Sequence, residues 1–179
     1  MLTDIIIRPP RPDDSIEELT DLLHRAYDRL GRMGLRYFAT FQTVEQTRER
    51  LAKGEPLVAE LEGRLVGTAT LYTNARKDDP DLYRRDDVGW FGQFGVEPEL
   101  QGAGIGGLLL AAIEEKARER GLAELALDTA ETATHLIDWY ARRGWRIVGE
   151  VRWEGANYRS VLMSKGIGIS SKFSIQNSK

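Results

Sequence analysis

Apolar positions recur along this chain in two rhythms that alternate. Ile5 to Arg8 is a short β-type run, closed by Pro9 and Pro10. Ile16, Leu19, Leu23, Ala26 and Leu30 then keep helical period. Ser15 and Glu18 stand at capping-box spacing ahead of them, and the stretch RLGRMG breaks the helix. A second, short helix is expected from Val44 to Lys53, stopping at Gly54. Leu57–Leu61 and Arg64–Tyr72 read as the arms of a hairpin turning at Glu62-Gly63. The mixed-charge stretch ARKDDPDLYRRDD that follows is expected to be a solvated connection.

The second half repeats the alternation. Val88–Val96 predicts a strand. Ile105, Leu108, Leu109, Ala112, Ile113 and Ala117 predict a helix that ends at Gly121. Leu122–Asp128 predicts a strand and Thr132–Arg143 a helix, with Arg142 and Arg143 in its last turn and Gly144 beyond. Trp145–Trp153 and Tyr158–Ser164 predict two closing strands. The order β α α β β β α β α β β is mixed α/β. One domain is expected over residues 1–165, and the Ser/Gly/Lys-rich segment 166–179 is expected to be a flexible tail.

Composition narrows the function classes. The 179 residues suit one domain with a sizeable core. Lys plus Arg is 25 and Asp plus Glu is 28, a net charge of −3, which argues against a nucleic-acid partner. Zero cysteines exclude disulfides, thiolate metal sites and a cysteine nucleophile. No metal site is expected, since His24 and His135 are the only histidines and lie far apart. No apolar run reaches membrane-spanning length and the start lacks a signal-peptide core. No membrane partner and a cytoplasmic location are therefore expected. A homodimer is admitted but not required by anything in the sequence.

The chemistry concentrates in GVEPELQGAGIGG, which precedes the third helical stripe. Gly102-Ala-Gly104-Ile-Gly106-Gly107 matches the dinucleotide fingerprint G-x-G-x-x-G, with Asp128 about twenty residues on. Three features oppose that reading. Glu97 to Gln101 separates the strand from the first glycine. The strand VGWFGQFGV carries Gln93 and three glycines where a central parallel strand wants an aliphatic run. Too little chain follows Asp128 to complete a doubly wound sheet. The alternative is a diphosphate loop at a helix N-terminus. Free N–H groups and a partial positive charge attract the anion there, and glycine supplies positive φ. Gln101 adds a side-chain amide. Backbone groups near Val96, left unpaired on one side, could bond an extended amide-bearing arm as another strand would.

GVEPELQGAGIGGLLLAAIEEKARERG resembles the coenzyme A loop of the GNAT superfamily of acyltransferases. The resemblance continues through LALDTAETATHLIDWYARRGWRIVGEVRW, including Tyr140-x-x-x-Gly144-Trp145, and covers residues 57 to 164 well. It implies a central mixed sheet, splayed between the fourth and fifth strands and flanked by helices. It implies acetyl-CoA as co-substrate, with Phe94, Gly95 and Val96 along the pantetheine arm. Gln101, Gly102, Ala103, Gly104, Ile105 and Gly106 would lie on the pyrophosphate. Tyr140 matches the tyrosine that acts as general acid in many members, and the implied reaction is acetyl transfer to a primary amine by direct attack in a ternary complex. The same Tyr140 also reads as an amphipathic core residue.

The sequence departs from the family in two places. Ala133 stands where the family often has an asparagine, and Thr132 or Thr134 are the candidates to replace it. The splayed strand offers Gln93 but no carboxylate; Glu97 follows in the loop, expected to face solvent, so the general base is left unassigned. These departures keep open a non-catalytic acyl-CoA-binding sensor of the same fold. Asp128 reads as a strand-end polar residue. Thr129 and Glu131 are placed to face an acceptor cleft. Tyr27, Tyr37, Phe38 and Phe41 are expected to shape an acceptor pocket or to pack helices on the sheet. Trp139, Trp145 and Trp153 read as core or capping aromatics. The acceptor could be a small molecule or a peptide.

Overall fold

Glu62 and Gly63 have φ of 49° and 77°, the two-residue turn whose twist suits paired strands. They join β2 (Glu55–Leu61) to β3 (Arg64–Tyr72) as expected. The computed structural model describes residues 4–168. In it β1 (Ile5–Arg8) lies beside β2, and β4 (Val88–Val96) beside β3, all antiparallel. β4 then pairs in parallel with β5 (Glu124–Ala130). β7 (Ser160–Gly166) and β6 (Arg146–Val151) complete one seven-stranded sheet, ordered β1-β2-β3-β4-β5-β7-β6. Ile167, just past β7, is buried, and its N–H bonds Ala123 O at 3.1 Å. The expected tail thus starts with packed residues, and positions 169–179 lie outside the described residues.

Helices cover both faces. α1 (Ile16–Arg32) starts where Ser15 Oγ accepts from Glu18 N at 3.1 Å. The expected box is half formed, since the Glu18 carboxylate does not accept from Ser15 N; the Ser15 hydroxyl also donates to Glu17. α2 (Val44–Ala52) carries the complete box, between Thr43 and Gln46. On this face Leu19, Leu51, Val58 and Leu65 pack together. α3 (Ile105–Glu119) and α4 (Thr134–Ala141) take the other face. There Leu57, Ala59, Leu71, Phe91, Leu109 and Ile113 join one core. The alternation of Leu57, Val58 and Ala59 between cores is the two-residue period of a strand buried on both sides. Each fully buried Leu or Ile adds about 1.5–3 kcal/mol.

Three boundaries move, with consequences for the site. β5 begins at Glu124 instead of Leu122, because Ala123 N and Glu124 N bond Asp87 O. The strand also runs on to Ala130, paired with β7, so Asp128 lies inside it rather than at its end. β6 stops at Val151 and β7 starts at Ser160, which frees Trp153 and Tyr158 to turn inward. The charged connection between β3 and β4 is not wholly solvated: Tyr83 is 3% exposed and Asp79 is buried.

The sheet opens at β4. Parallel pairing to β5 runs over Val88↔Glu124, Gly89↔Leu125 and Trp90↔Ala126 and goes no further. Just beyond, Gln93 and Phe94 both stand opposite Ala69, since Thr70 pairs with Gly92 and Thr68 with Gly95. Gln93 carries a φ of 51°. Such a bulge bends its strand and adds twist, and it falls where β4 leaves β5. α1 packs onto the bent half. A Cβ added to Gly95 would stand 2.9 Å from Ala26 Cβ and 3.3 Å from Leu23 Cδ2. Gly95→Ala is expected to cost about 1–3 kcal/mol through this overlap, read as a lower urea midpoint at unchanged slope.

Candidate active site

The glycine loop is built to present amides. After β4, Pro98–Leu100 forms a short 3-10 turn. Gly102 and Gly104 follow with φ of 84° and 95°, values that favour glycine. Gly104 caps α3 with no side-chain hydrogen bond. The N–H groups of Ile105, Gly106 and Gly107 have no acceptor among the described residues, the first N-cap bond being Leu108 N to Gly104 O. Residues 101–104 are exposed, and nothing stands within 4 Å of a Cβ placed on Gly102, Gly104 or Gly107. Uncapped amides at a helix start fit a diphosphate. Gln101 contributes differently from expectation: its Nε2 donates to Val96 O at 3.1 Å, tying the loop to the strand.

Phe91–Val96 lacks a β5 partner, so one edge of β4 is open for a strand-like ligand arm. Phe94 links this edge to α4, its ring centroid 6.1 Å from Trp139 and 6.5 Å from Tyr140. Tyr140 is 7% exposed and also packs on Phe91 and Trp145. Its hydroxyl makes no hydrogen bond among the described residues. Burial pushes this phenol well above its ordinary range, and Tyr27, Tyr37 and Asp128 push the same way. Tyr140 is therefore a proton donor throughout the neutral range.

Asp128, which the sequence offered only as a strand-end polar residue, is a carboxylate held by two aromatic donors. Asp128 accepts from Tyr83 Oη at 2.9 Å and from Trp153 Nε1 at 2.7 Å. Burial raises its pKa above the usual value, while those two donors pull it down. Tyr83 stacks on Trp90 with centroids 5.0 Å apart, and Trp90 stacks on Tyr72 at 5.8 Å. Tyr37 stacks on Tyr158 at 4.8 Å and meets Tyr27 at 5.4 Å. Its hydroxyl lies 2.9 Å from Thr129 Oγ1 and accepts from Ala130 N. Burial raises the pKa of Tyr27, Tyr37 and Tyr158 alike. The wall is aromatic, protonated and centred on one acid.

Other expected residues are placed elsewhere. Glu97 is not solvent-facing: it is 6% exposed and held by Arg25, whose Nε donates at 3.1 Å. Thr129 bonds Tyr37, as above, and Glu131 pairs with Arg159. Phe38 and Phe41 are exposed, with Arg50 and Arg36 over their rings. Ala133 is buried with Leu30, Leu35 and Ala130, and its position caps α4 with no side-chain bond. His24 Nε2 lies 2.8 Å from Gln42 O. Gln93 is 2% exposed and both its amide atoms lack a partner, an expensive arrangement at the point where the strands part. Among the described residues no cluster of three or more His, Asp or Glu could hold a metal, and no helix is long and apolar enough to cross a membrane.

Comparison with known proteins agrees with this geometry. Residues 16–145 match the acetyltransferase (GNAT) family. A curated relative, S-(2-succino)cysteine N-acetyltransferase of Bacillus subtilis (strain 168), is 30% identical over 136 residues, or 75% of this chain and 80% of that protein. PaiA N-acetyltransferase of Thermoplasma acidophilum, solved with coenzyme A, superposes with a TM-score of 0.71 at 16% identity, covering 92% of this chain and 99% of that one. A GNAT acetyltransferase of Elizabethkingia anophelis with acetyl-CoA bound gives 0.64 at 20% identity, over 92% and 99%. The two solved structures share the fold. The chain belongs to the GNAT acetyltransferase family. It is an acetyl-CoA-dependent N-acetyltransferase that transfers acetyl to an amine.

Proposed function

We propose that the acceptor is the primary amine of a small molecule, bound on the α1 face of the opening and acetylated by direct attack in a ternary complex. The observation that carries this reading is that the amides of 104–107 and the unbonded Tyr140 hydroxyl flank one unpaired strand edge, Phe91–Val96. The name of the Bacillus relative supports a small amine-bearing acceptor. Acetyl-CoA supplies an acetyl group activated as a thioester. Gly102, Gly104, Ile105 and Gly106 hold its diphosphate on backbone amides, with Gln101 bracing the turn. Ala103 only lies along the loop, its N–H donating to Leu100 O at 3.2 Å. Phe94, Gly95 and Val96 offer backbone to the pantetheine arm. Tyr140 donates its proton to the departing sulfur. Asp128 receives the amine's proton, directly or through water.

Nothing in the chain suggests an acetylated protein intermediate, since it has no cysteine. The test is free-thiol release from acetyl-CoA over a panel of small amines. Turnover with a small amine and initial-rate lines that intersect support the proposal. Turnover only with peptide amines, or parallel lines, would overturn it.

Asp128 makes the rate depend on pH. Burial raises its pKa, while Trp153, Tyr83, Ser160 and Arg50 lower it, and Tyr83 donates directly. Tyr83→Phe removes a bond that favours the charged form, so the carboxyl titrates higher. The acid limb of kcat/KM is expected to move to higher pH. An unmoved limb would separate Asp128 from the reaction.

A further inference from the structure

Gly92 and Asp128 occupy matching places on the two strands that part. Trp90 and Ala126 are the last bridged pair, and Gly92 and Asp128 are the next residues on that face. Glycine leaves its place empty, and a cation fills the neighbourhood. A Cβ on Gly92 would stand 3.8 Å from Arg50 Nη2 and 3.7 Å from Tyr72 Cε2. An anion on β5 thus faces a cation delivered to β4 from α2.

Arg50 is held as a binding group is held. Its Nη1 donates to Gln42 Oε1 at 2.7 Å. Gln42 is fully buried and anchored by Nε2 to Thr47 Oγ1 at 2.7 Å. The guanidinium lies 5.1 Å from the Phe38 ring centroid. Tyr72 Oη donates to the Arg50 carbonyl at 3.1 Å. No carboxylate pairs with Arg50 among the described residues, and the Tyr72 hydroxyl is its other polar neighbour. A half-buried guanidinium without a carboxylate partner presents a fork that suits a planar carboxylate.

Beside the two charges Tyr72, Trp90 and Tyr83 stack each on the next. Such a wall tolerates a cation against ring faces.

We infer that the acceptor is an amino acid, with Arg50 taking its carboxylate and Asp128 its ammonium across the opening between β4 and β5. The inference rests on the small-amine reading above and narrows it. The ammonium gives one proton to Asp128, and the freed nitrogen lone pair forms the bond to the acetyl carbon. The carbon–sulfur bond breaks, and the sulfur takes the proton of Tyr140. The nitrogen's second proton leaves to solvent as the amide forms. Asp128 passes its proton to solvent and Tyr140 regains one from it, so each turnover releases one proton.

The test is a matched acceptor series with the whole protein at saturating acetyl-CoA. The twenty amino acids and a set of S-carboxyalkyl cysteines are compared with their carboxamides and their decarboxylated amines. Free carboxylates are expected to give the highest kcat/KM, and removing the carboxylate to cost about 10- to 100-fold. Arg50→Gln should raise KM for the best amino acid by a similar factor and raise it much less for the decarboxylated amine, both read on the pH plateau above the acid limb. The melting transition checks the fold, because Gln42 Oε1 loses its partner. Arg50→Lys should recover part of the loss.

Tryptophan fluorescence of the coenzyme A complex gives the same comparison without turnover, since Trp90 and Trp153 border the cleft. Equal rates for acids and decarboxylated amines, or an Arg50→Gln rise in KM of equal size for acids and decarboxylated amines, would overturn the inference and leave the transferase intact. Thiol release with no amine at all, amino acids included, would instead remove the small-amine reading on which it stands.

Discussion

Tyr140→Phe is expected to lower kcat by about 100- to 1,000-fold, with KM for acetyl-CoA within about threefold. The substitution is unusually clean here. The ring keeps its contacts with Phe91, Phe94, Trp139 and Trp145. The lost hydroxyl strands no partner, because it bonds none among the described residues. The melting temperature should therefore hold within about 1–2 °C. Burial also keeps the phenol protonated well past its ordinary range, so the wild-type rate should show no alkaline limb from this group below pH 10. A loss under about threefold would mean that Tyr140 only packs, and the sulfur would leave unaided.

Gly104→Val is expected to weaken coenzyme A by about 10- to 100-fold while the unliganded protein stays folded. Crowding is not the cause, since a Cβ there meets nothing within 4 Å. The cause is the backbone. At φ 95° a β-branched residue is strained by about 1–3 kcal/mol. The loop relieves that strain by turning, and the amides of 105–107 turn with it. Isothermal titration of coenzyme A reads the loss directly. The stabilisation that coenzyme A adds on melting should shrink in step. Unchanged affinity would place the diphosphate elsewhere.

The parts of the fold carried by local periodicity were legible. The bounds of β4, the Glu62-Gly63 hairpin and the α3 stripe follow from alternation, turn chemistry and helical spacing. The cofactor half of the site was legible for the same reason, because loop and helix start are contiguous. The wall around Asp128 was not. Its burial depends on Tyr83, 45 positions away in a stretch whose charges suggest solvent, and on Trp153, which turns inward only because β6 ends early. The burial of Glu97 rests on Arg25, 72 positions distant. The Thr43 and Gln46 box lay in plain view, at the same spacing as Ser15 and Glu18. The bulge at Gln93 had a faint local signal, glycines flanking a polar residue within a strand.

The splay divides labour unequally along the polypeptide. Everything proposed to grip the cofactor, save Tyr140, comes from one unbroken stretch between Phe94 and Gly106. The surface facing it is drawn from α1, α2, the β3–β4 connection, β5 and the segment before β7. Drift in any of those scattered pieces can reshape what is accepted without disturbing what donates. Descendants of this chain would thus keep their acyl currency and trade away their clients one segment at a time.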